Sequence, residues 1–449
     1  MLELFNDVPQ DWELTTLGEI CERGGGSIQT GPFGSQLHAS DYVPVGIPSI
    51  MPADIIDNRI NTKSIAMISE KDAERLSRHR VKVGNIVFSR RGDVTRRALV
   101  RKEQDGWLCG TGSLKIDLGR NVVDSLYAYL YLGNPEVKDW ILRHAVGSTM
   151  PNLNSKIMAS VPFLLPPLPE QRAISHILGA LDDKIDLNRR MNNTLEAIAQ
   201  AIFKSWFVDF DPVVAKSEGR QPYGMNEKSA ALFPAEFVDS ELGAIPKGWR
   251  VGTVGGVFDL TMGQSPPGIS YNEIGEGSVF YQGRTDFGAR YPTPRVYCTA
   301  PTRFAKPGDT LISVRAPVGD INMALESCSI GRGLASIQHK SGSRSYTYYA
   351  MHFMKDDFDV FEGEGTLFGS ISGASFRGIK IVVLPPEVIA EFEHRTSPLD
   401  QVIENNARQI FTLASIRDTL LPRLLSGEVR VKGVALWWTQ KVGQKIGVA

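Results

Sequence analysis

Between residues 71 and 102 the chain sets eleven lysines and arginines against three acids, a local balance of +8. They are Lys71, Arg75, Arg78, Arg80, Lys82, Arg90, Arg91, Arg96, Arg97, Arg101 and Lys102. Residues 284–315 hold six more (Arg284, Arg290, Arg295, Arg303, Lys306 and Arg315) against two acids, for +4. The whole chain is almost neutral, at −1 over 449 residues. That excludes a histone-like polycation, but local positive faces of this kind attract phosphate. Arginine dominates both runs, and its planar guanidinium can grip a phosphate or bond guanine O6 and N7 together. A glycine-rich polar loop accompanies each run, residues 24–36 in one case and 262–268 in the other. Glycine lets backbone N–H groups approach phosphate, and Gln, Thr and Ser can bond phosphates or base edges. The candidate DNA contacts are therefore Gln29, Thr30, Ser35, Arg90, Arg91, Arg96, Arg97, Gln264, Ser265, Arg284, Arg290 and Arg315.

No catalytic signature competes with this reading. The chain has no GxxxxGK[ST], no HExxH and no GxSxG. Phe361-Glu362-Gly363-Glu364-Gly365 has the FxGxG form of an adenosylmethionine loop. No aliphatic strand precedes it and no (N/D)PP(Y/F) follows, so it reads as a turn. Cys21, Cys109, Cys298 and Cys328 are scattered, and the seven histidines show no ligand spacing. Neither a metal nor a disulfide framework is expected. The start has no basic and apolar leader pattern, and no apolar run is long enough to span a bilayer, so the expected address is the cytoplasm.

The elements that must position these residues come in duplicate. Val8-Pro9-Gln10-Asp11-Trp12 matches Ile245-Pro246-Lys247-Gly248-Trp249. Residues 81–89, Val-Lys-Val-Gly-Asn-Ile-Val-Phe-Ser, match residues 305–313, Ala-Lys-Pro-Gly-Asp-Thr-Leu-Ile-Ser. Each reads as a turn followed by a buried strand. Val161-Pro162-Phe163-Leu164-Leu165-Pro166-Pro167 matches Ile381-Val382-Val383-Leu384-Pro385-Pro386. Both halves are rich in Gly, Pro and short apolar runs, which predicts β-rich, mixed α/β domains.

A long helical pattern follows each Pro-Pro pair. In the first, Ile174, Leu178, Leu181, Ile185, Asn188, Asn192, Leu195, Ala199, Ile202 and Trp206 recur at steps of four and three. In the second, Phe392, Thr396, Leu399, Ile403, Asn406, Ile410, Leu413, Arg417, Leu420 and Leu424 do the same. Such a seam predicts two helices packed as a coiled coil. Its principal positions are Leu178, Leu181, Ile185, Asn188 and Leu195 against Leu399, Ile403, Asn406, Ile410 and Leu413. Asn188 and Asn406 lie midway along their helices and are expected to face each other. The size of the two halves favours antiparallel packing. Pro169 and Pro386 suit first turns and Gly427 a stop.

The expected fold class is α+β, with two pseudo-repeated domains separated by two long antiparallel helices. The domains are 1–166 and 244–385, and the helices 167–207 and 386–427. Residues 208–243, with seven acids and three bases, read as a flexible acidic linker. Residues 428–449 form a tail, with Trp437-Trp438 unexplained.

Nearly the whole chain resembles the specificity subunit of a type I restriction–modification system. The most specific parts are residues 165–174, Leu-Pro-Pro-Leu-Pro-Glu-Gln-Arg-Ala-Ile, with the helix through Trp206-Phe207-Val208-Asp209-Phe210. To these add Leu420-Leu421-Pro422-Arg423-Leu424-Leu425-Ser426-Gly427-Glu428 and the loop Thr30-Gly31-Pro32-Phe33-Gly34-Ser35. The resemblance implies two target-recognition domains, each reading half of a bipartite, asymmetric site in double-stranded DNA. It implies helices that set the spacing and dock two methyltransferase subunits, which bind S-adenosylmethionine and flip adenines. Restriction subunits using ATP and Mg would join through them. The chain itself would hold no cofactor and do no catalysis. The second copy departs from the family pattern at Glu387-Val388-Ile389-Ala390-Glu391, where the Pro-Glu-Gln-Arg start is missing. A self-sufficient methyltransferase would instead bind adenosylmethionine alone, and a coiled-coil adaptor would not retard duplex DNA.

Overall fold

A computed structural model describes residues 8–147, 150–362 and 369–431. The possible adenosylmethionine loop lies partly, and the tail from Lys432 entirely, outside the described residues. The architecture is α+β, and the chain divides into two compact units. One is Met1–Ile185 with Thr412–Ala449, and the other is Asp186–Phe411.

The two units repeat one sheet. In the first, a four-stranded antiparallel sheet runs Ser27–Thr30, Ser113–Asp117, Ile86–Ser89, Arg97–Leu99 in spatial order. In the second the order is Phe258–Met262, Leu334–His339, Thr310–Val314, Val318–Met323, again antiparallel throughout. The central strands are the apolar runs matched in sequence, and both are buried along their whole length. A two-stranded antiparallel ribbon closes each unit: Glu13–Thr16 with Pro162–Leu165, and Arg250–Thr253 with Lys380–Val383. The residues after the repeated tryptophan are thus tied to those before the repeated prolines.

The tryptophans sit in the same turn, with Trp12 N donating to Pro9 O at 2.9 Å and Trp249 N to Pro246 O at 3.0 Å. Both rings are buried. Trp12 Nε1 donates to Glu170 Oε2 at 3.1 Å, and Arg430 donates to both Glu170 and Asp11. In the second copy the residues that match Glu170 are apolar, Val388-Ile389, and Trp249 Nε1 is buried with no partner among the described residues. The sequence departure therefore leaves one indole N–H unsatisfied, a cost of about 1–3 kcal/mol.

The long helices span Leu168–Phe207 and Pro386–Leu425, 40 residues each. Proline falls in the first turn of both, where a missing N–H costs nothing. Gly427, at φ +81°, follows the second. Within each unit their contacts run antiparallel. In the first unit Asp182 Oδ1 accepts from Arg417 at 2.8 Å, and Ile174 and Leu178 share a core with Leu424 and Leu425. In the second, Phe203 and Trp206 pack edge-on against Phe392. Leu178, Ile185, Asn188, Ile403 and Asn406 are buried, while Leu181, Leu195, Leu399, Ile410 and Leu413 are half-buried.

The expected pairing of Asn188 with Asn406 is displaced by one turn. Asn406 Nδ2 donates to Asn192 Oδ1 at 2.8 Å, and Asn188 Nδ2 donates to Gln409 Oε1 at 3.1 Å. The facing residues fall past the midpoint that equal helix lengths suggested, so Asn188 and Asn406 each meet a polar side chain other than the repeat counterpart.

Residues 208–243 are not a flexible linker. They form helices Asp211–Ser217 and Glu227–Ala231 and a hairpin of Phe237–Ser240 with Gly243–Pro246. Val213, Met225, Ala230 and Phe233 are buried in the second unit's core. Phe233 lies 5.3 Å from the Trp206 ring and 6.3 Å from Trp249. The acids that suggested a linker lie among these apolar residues, and Asp211 favours its helix N-terminus through the dipole. Phe233→Ala should cost about 3–5 kcal/mol in denaturant unfolding of the second unit. An unchanged midpoint would return this segment to the role of a tether.

Candidate nucleic-acid interface

In the first unit the fold brings several predicted residues together. Gln29 and Thr30 are half-buried on the edge strand, opposite Lys115 and Leu114. The chain then turns through Gly31, where a Cβ would stand 2.0 Å from Gly110 O, so only glycine fits. Ser35 is exposed in the loop beyond. Arg90, at the end of the central strand, reaches this loop with its guanidinium 5.4 Å over the exposed Phe33 ring. Its Nε donates to Asn152 Oδ1 at 3.3 Å. Burial and the neighbouring Arg91 both pull the Arg90 pKa down. Arg91 is exposed and pairs with Asn152 through its backbone. The glycine-rich loop, the strand end and the Asn152 segment thus converge on one face.

The charge count overstated that face. Arg96 is exposed but pairs with Asp93 at 3.1 Å. Arg75 pairs with Asp72, Arg80 with Glu70 and Arg101 with Asp183. Such exposed pairs contribute little stability, yet in each the carboxylate offsets the arginine's positive charge.

Arg97 is no DNA contact. It is 5% exposed, its Nε donates to Tyr129 O at 3.0 Å, and its guanidinium sits 4.9 Å over the Tyr129 ring. Burial pulls its pKa down. The helix Ser125–Tyr131 lies against this strand, and its Tyr129 covers Arg97.

Arg290 is excluded for the same reason. It is 4% exposed, its Nη2 lies 2.8 Å from Asp400 Oδ1, and its Nη1 donates to the Tyr349 hydroxyl at 2.9 Å. Its guanidinium lies 4.1 Å over the Tyr348 ring, with Glu196 at 3.7 Å. Burial opposes its charge, but Asp400, the tyrosines and Glu196 outweigh that and hold its pKa well above the ordinary value. Glu196 and Asp400 belong to the two long helices, so Arg290 clamps the second β-rich half onto both.

The remaining second-unit residues are accessible. Gln264 is exposed, and its backbone is fixed by Ile330 O and Thr302 Oγ1. Ser265 Oγ accepts from Arg332 Nε at 3.1 Å. Arg332 is exposed beside the predicted loop and went unnoticed in sequence because it lies past the basic run. Its Gly331-Arg332-Gly333 setting is the signal that could have found it. Arg284 is exposed but pairs with Asp320 at 2.6 Å. Arg315 is exposed and bridges Ser370 through its backbone.

All four cysteines are buried and free, and burial pushes Cys21, Cys109 and Cys328 up to about 12. Among the described residues, no cluster of His, Cys, Asp or Glu could hold a metal, and no helix is long and apolar enough to cross a membrane.

A family model described as the type I restriction modification DNA specificity domain matches residues 9–197. Over that stretch and beyond it, the chain is similar to specificity subunits of type I restriction–modification systems. The MjaX type I restriction enzyme specificity subunit assigned in Methanocaldococcus jannaschii is 28% identical, over 95% of this chain and 96% of that one. The HindI specificity subunit of Haemophilus influenzae is 25% identical, over 85% of this chain and 94% of its own. The crystal structure of a type I system S subunit from M. genitalium shares the fold, with a TM-score of 0.59 at 15% identity, covering 94% of this chain and 98% of that one.

Arg290→Ala should destabilise the second unit by about 3–5 kcal/mol, because it leaves Asp400 buried and unpaired. Denaturant unfolding reads the loss. A variant of unchanged stability would show that the clamp bears no load.

Proposed function

We propose that the chain is a type I restriction–modification specificity subunit and reads a bipartite, asymmetric sequence in double-stranded DNA, one part with each β-rich half. The observation that carries this is the duplicated sheet. Two units repeat the same strand order, and each ends its central strand beside an exposed arginine and a glycine-rich loop. Arginine–phosphate contacts supply affinity and a steep salt dependence. Side chains of the two loops and strand ends supply base contacts in the grooves.

The long helices dock two methyltransferase subunits, and restriction subunits join through those. S-adenosylmethionine belongs to the methyltransferase partner, and ATP and Mg to the restriction partner. This chain contributes recognition and no reacting group.

The helices also set the gap between the two parts of the site. At about 1.5 Å per residue, a 40-residue helix is roughly 60 Å long. One heptad is about 10 Å, close to three base pairs at the ~3.4 Å rise of B-DNA.

Mapping adenine methylation in DNA made with this chain and its partner methyltransferase should return a motif of two short parts around a fixed gap. A continuous motif would contradict the two-reader arrangement. Removing one heptad from each helix should change the gap and leave both parts unaltered. A change in the bases with a constant gap would end the spacing role.

A further inference from the structure

The hairpins that carry the candidate arginines match bond for bond. Gly84 N donates to Val100 O at 3.0 Å, and Gly308 N to Ala324 O at 2.8 Å. Arg90 N donates to Gly112 O at 2.8 Å, and Val314 N to Gly333 O at 2.9 Å. Leu153 N donates to Arg90 O at 2.9 Å, and Ile371 N to Val314 O at 3.1 Å. One residue further on, Arg91 bridges Asn152 and Arg315 bridges Ser370. Arg91 and Arg315 therefore occupy the same backbone position, clasped by the same returning segment.

Their neighbours have diverged. Arg90 corresponds to Val314, Asp93 to Pro317, Arg96 to Asp320 and Arg97 to Ile321. The charge at the third of these pairs is reversed. Arg91 and Arg315 keep theirs, both are exposed, and neither side chain forms an ion pair or hydrogen bond among the described residues. Two halves that read different bases need different side chains at the base edges. They meet an identical phosphate backbone.

We propose that Arg91 and Arg315 are phosphate-positioning residues that fix each half on the duplex, and that base discrimination falls to the accessible diverged side chains beside them, Asp93 and Arg96 in one half and Pro317 and Asp320 in the other. This rests on the reading of duplex DNA above and deepens it, since it divides the arginines by role. A phosphate contact needs a positive charge within reach, which lysine supplies as a point charge. A bidentate guanine contact needs the planar fork, which lysine lacks.

The test uses the full chain with Arg91→Ala, Arg91→Lys, Arg315→Ala and Arg315→Lys. Binding to a 30-base-pair duplex of arbitrary sequence is titrated over a range of salt. Each protein also selects from a random duplex library in complex with its methyltransferase. Each alanine variant should flatten the plot of log affinity against log salt by about one unit. It should weaken binding to every duplex roughly three- to tenfold, while selecting the wild-type sequence. Each lysine variant should restore both slope and affinity. A changed base in the selected sequence, an unchanged slope, or failure of lysine to restore would each overturn the assignment. Failure of the wild-type chain to retain duplex at low salt would overturn the DNA reading beneath it.

Discussion

The apolar seam between the two long helices is the constraint on which both units depend. In the first unit, Ile174 and Leu178 from one helix and Leu424 and Leu425 from the other are buried in the same core as Trp12 and Phe163. In the second, Phe203 and Trp206 from one and Phe392 from the other join Trp249 and Phe258. Burying each such side chain contributes about 1.5–3 kcal/mol. Neither β-rich half closes its core with its own strands. Each needs turns from both helices, and those turns come from opposite ends of the two sequences.

The same dependence sorts the arginines. Arg290 spends its charge on Asp400 and Glu196, one carboxylate from each helix. Arg97 spends its charge on the Tyr129 carbonyl and ring. Both hold the β-rich half in place, and neither is free to meet a ligand. The residues left at the surface are fewer than the local charge suggests, and they gather where the central strand ends.

Much of the fold was legible in sequence because its signals are one-dimensional. The repeat shows as matched strings around Trp12 and Trp249, and the helices show as a seam whose steps of four and three need no knowledge of neighbours. Chain order also placed Arg90 and the Gly31 loop as candidates. What sequence could not convey was burial by distant partners. Arg97 and Arg91 lie in one basic run, and only the packing of Tyr129 over one of them buries it and leaves the other out. Arg290 looks like any loop arginine until Asp400 is beside it. The segment after Phe207 misled for a related reason: its acids are counted easily, whereas the packing of Val213 and Phe233 depends on Trp206 and Trp249. The polar seam was legible in residue type but not in register, since helix length alone does not decide which asparagine meets which.

The folded passage from Asp211 to Phe233 bears on how such a chain can be recombined. Its apolar residues answer to rings on both sides of it, Trp206 at the end of a helix and Trp249 at the opening of the second repeat. A crossover just after the helix would graft a foreign connector onto rings shaped for this one. A crossover inside the first helix, upstream of Phe203, would carry helix end, connector and β-rich half across as one heritable block, though the matching turns near Phe392 must travel with it.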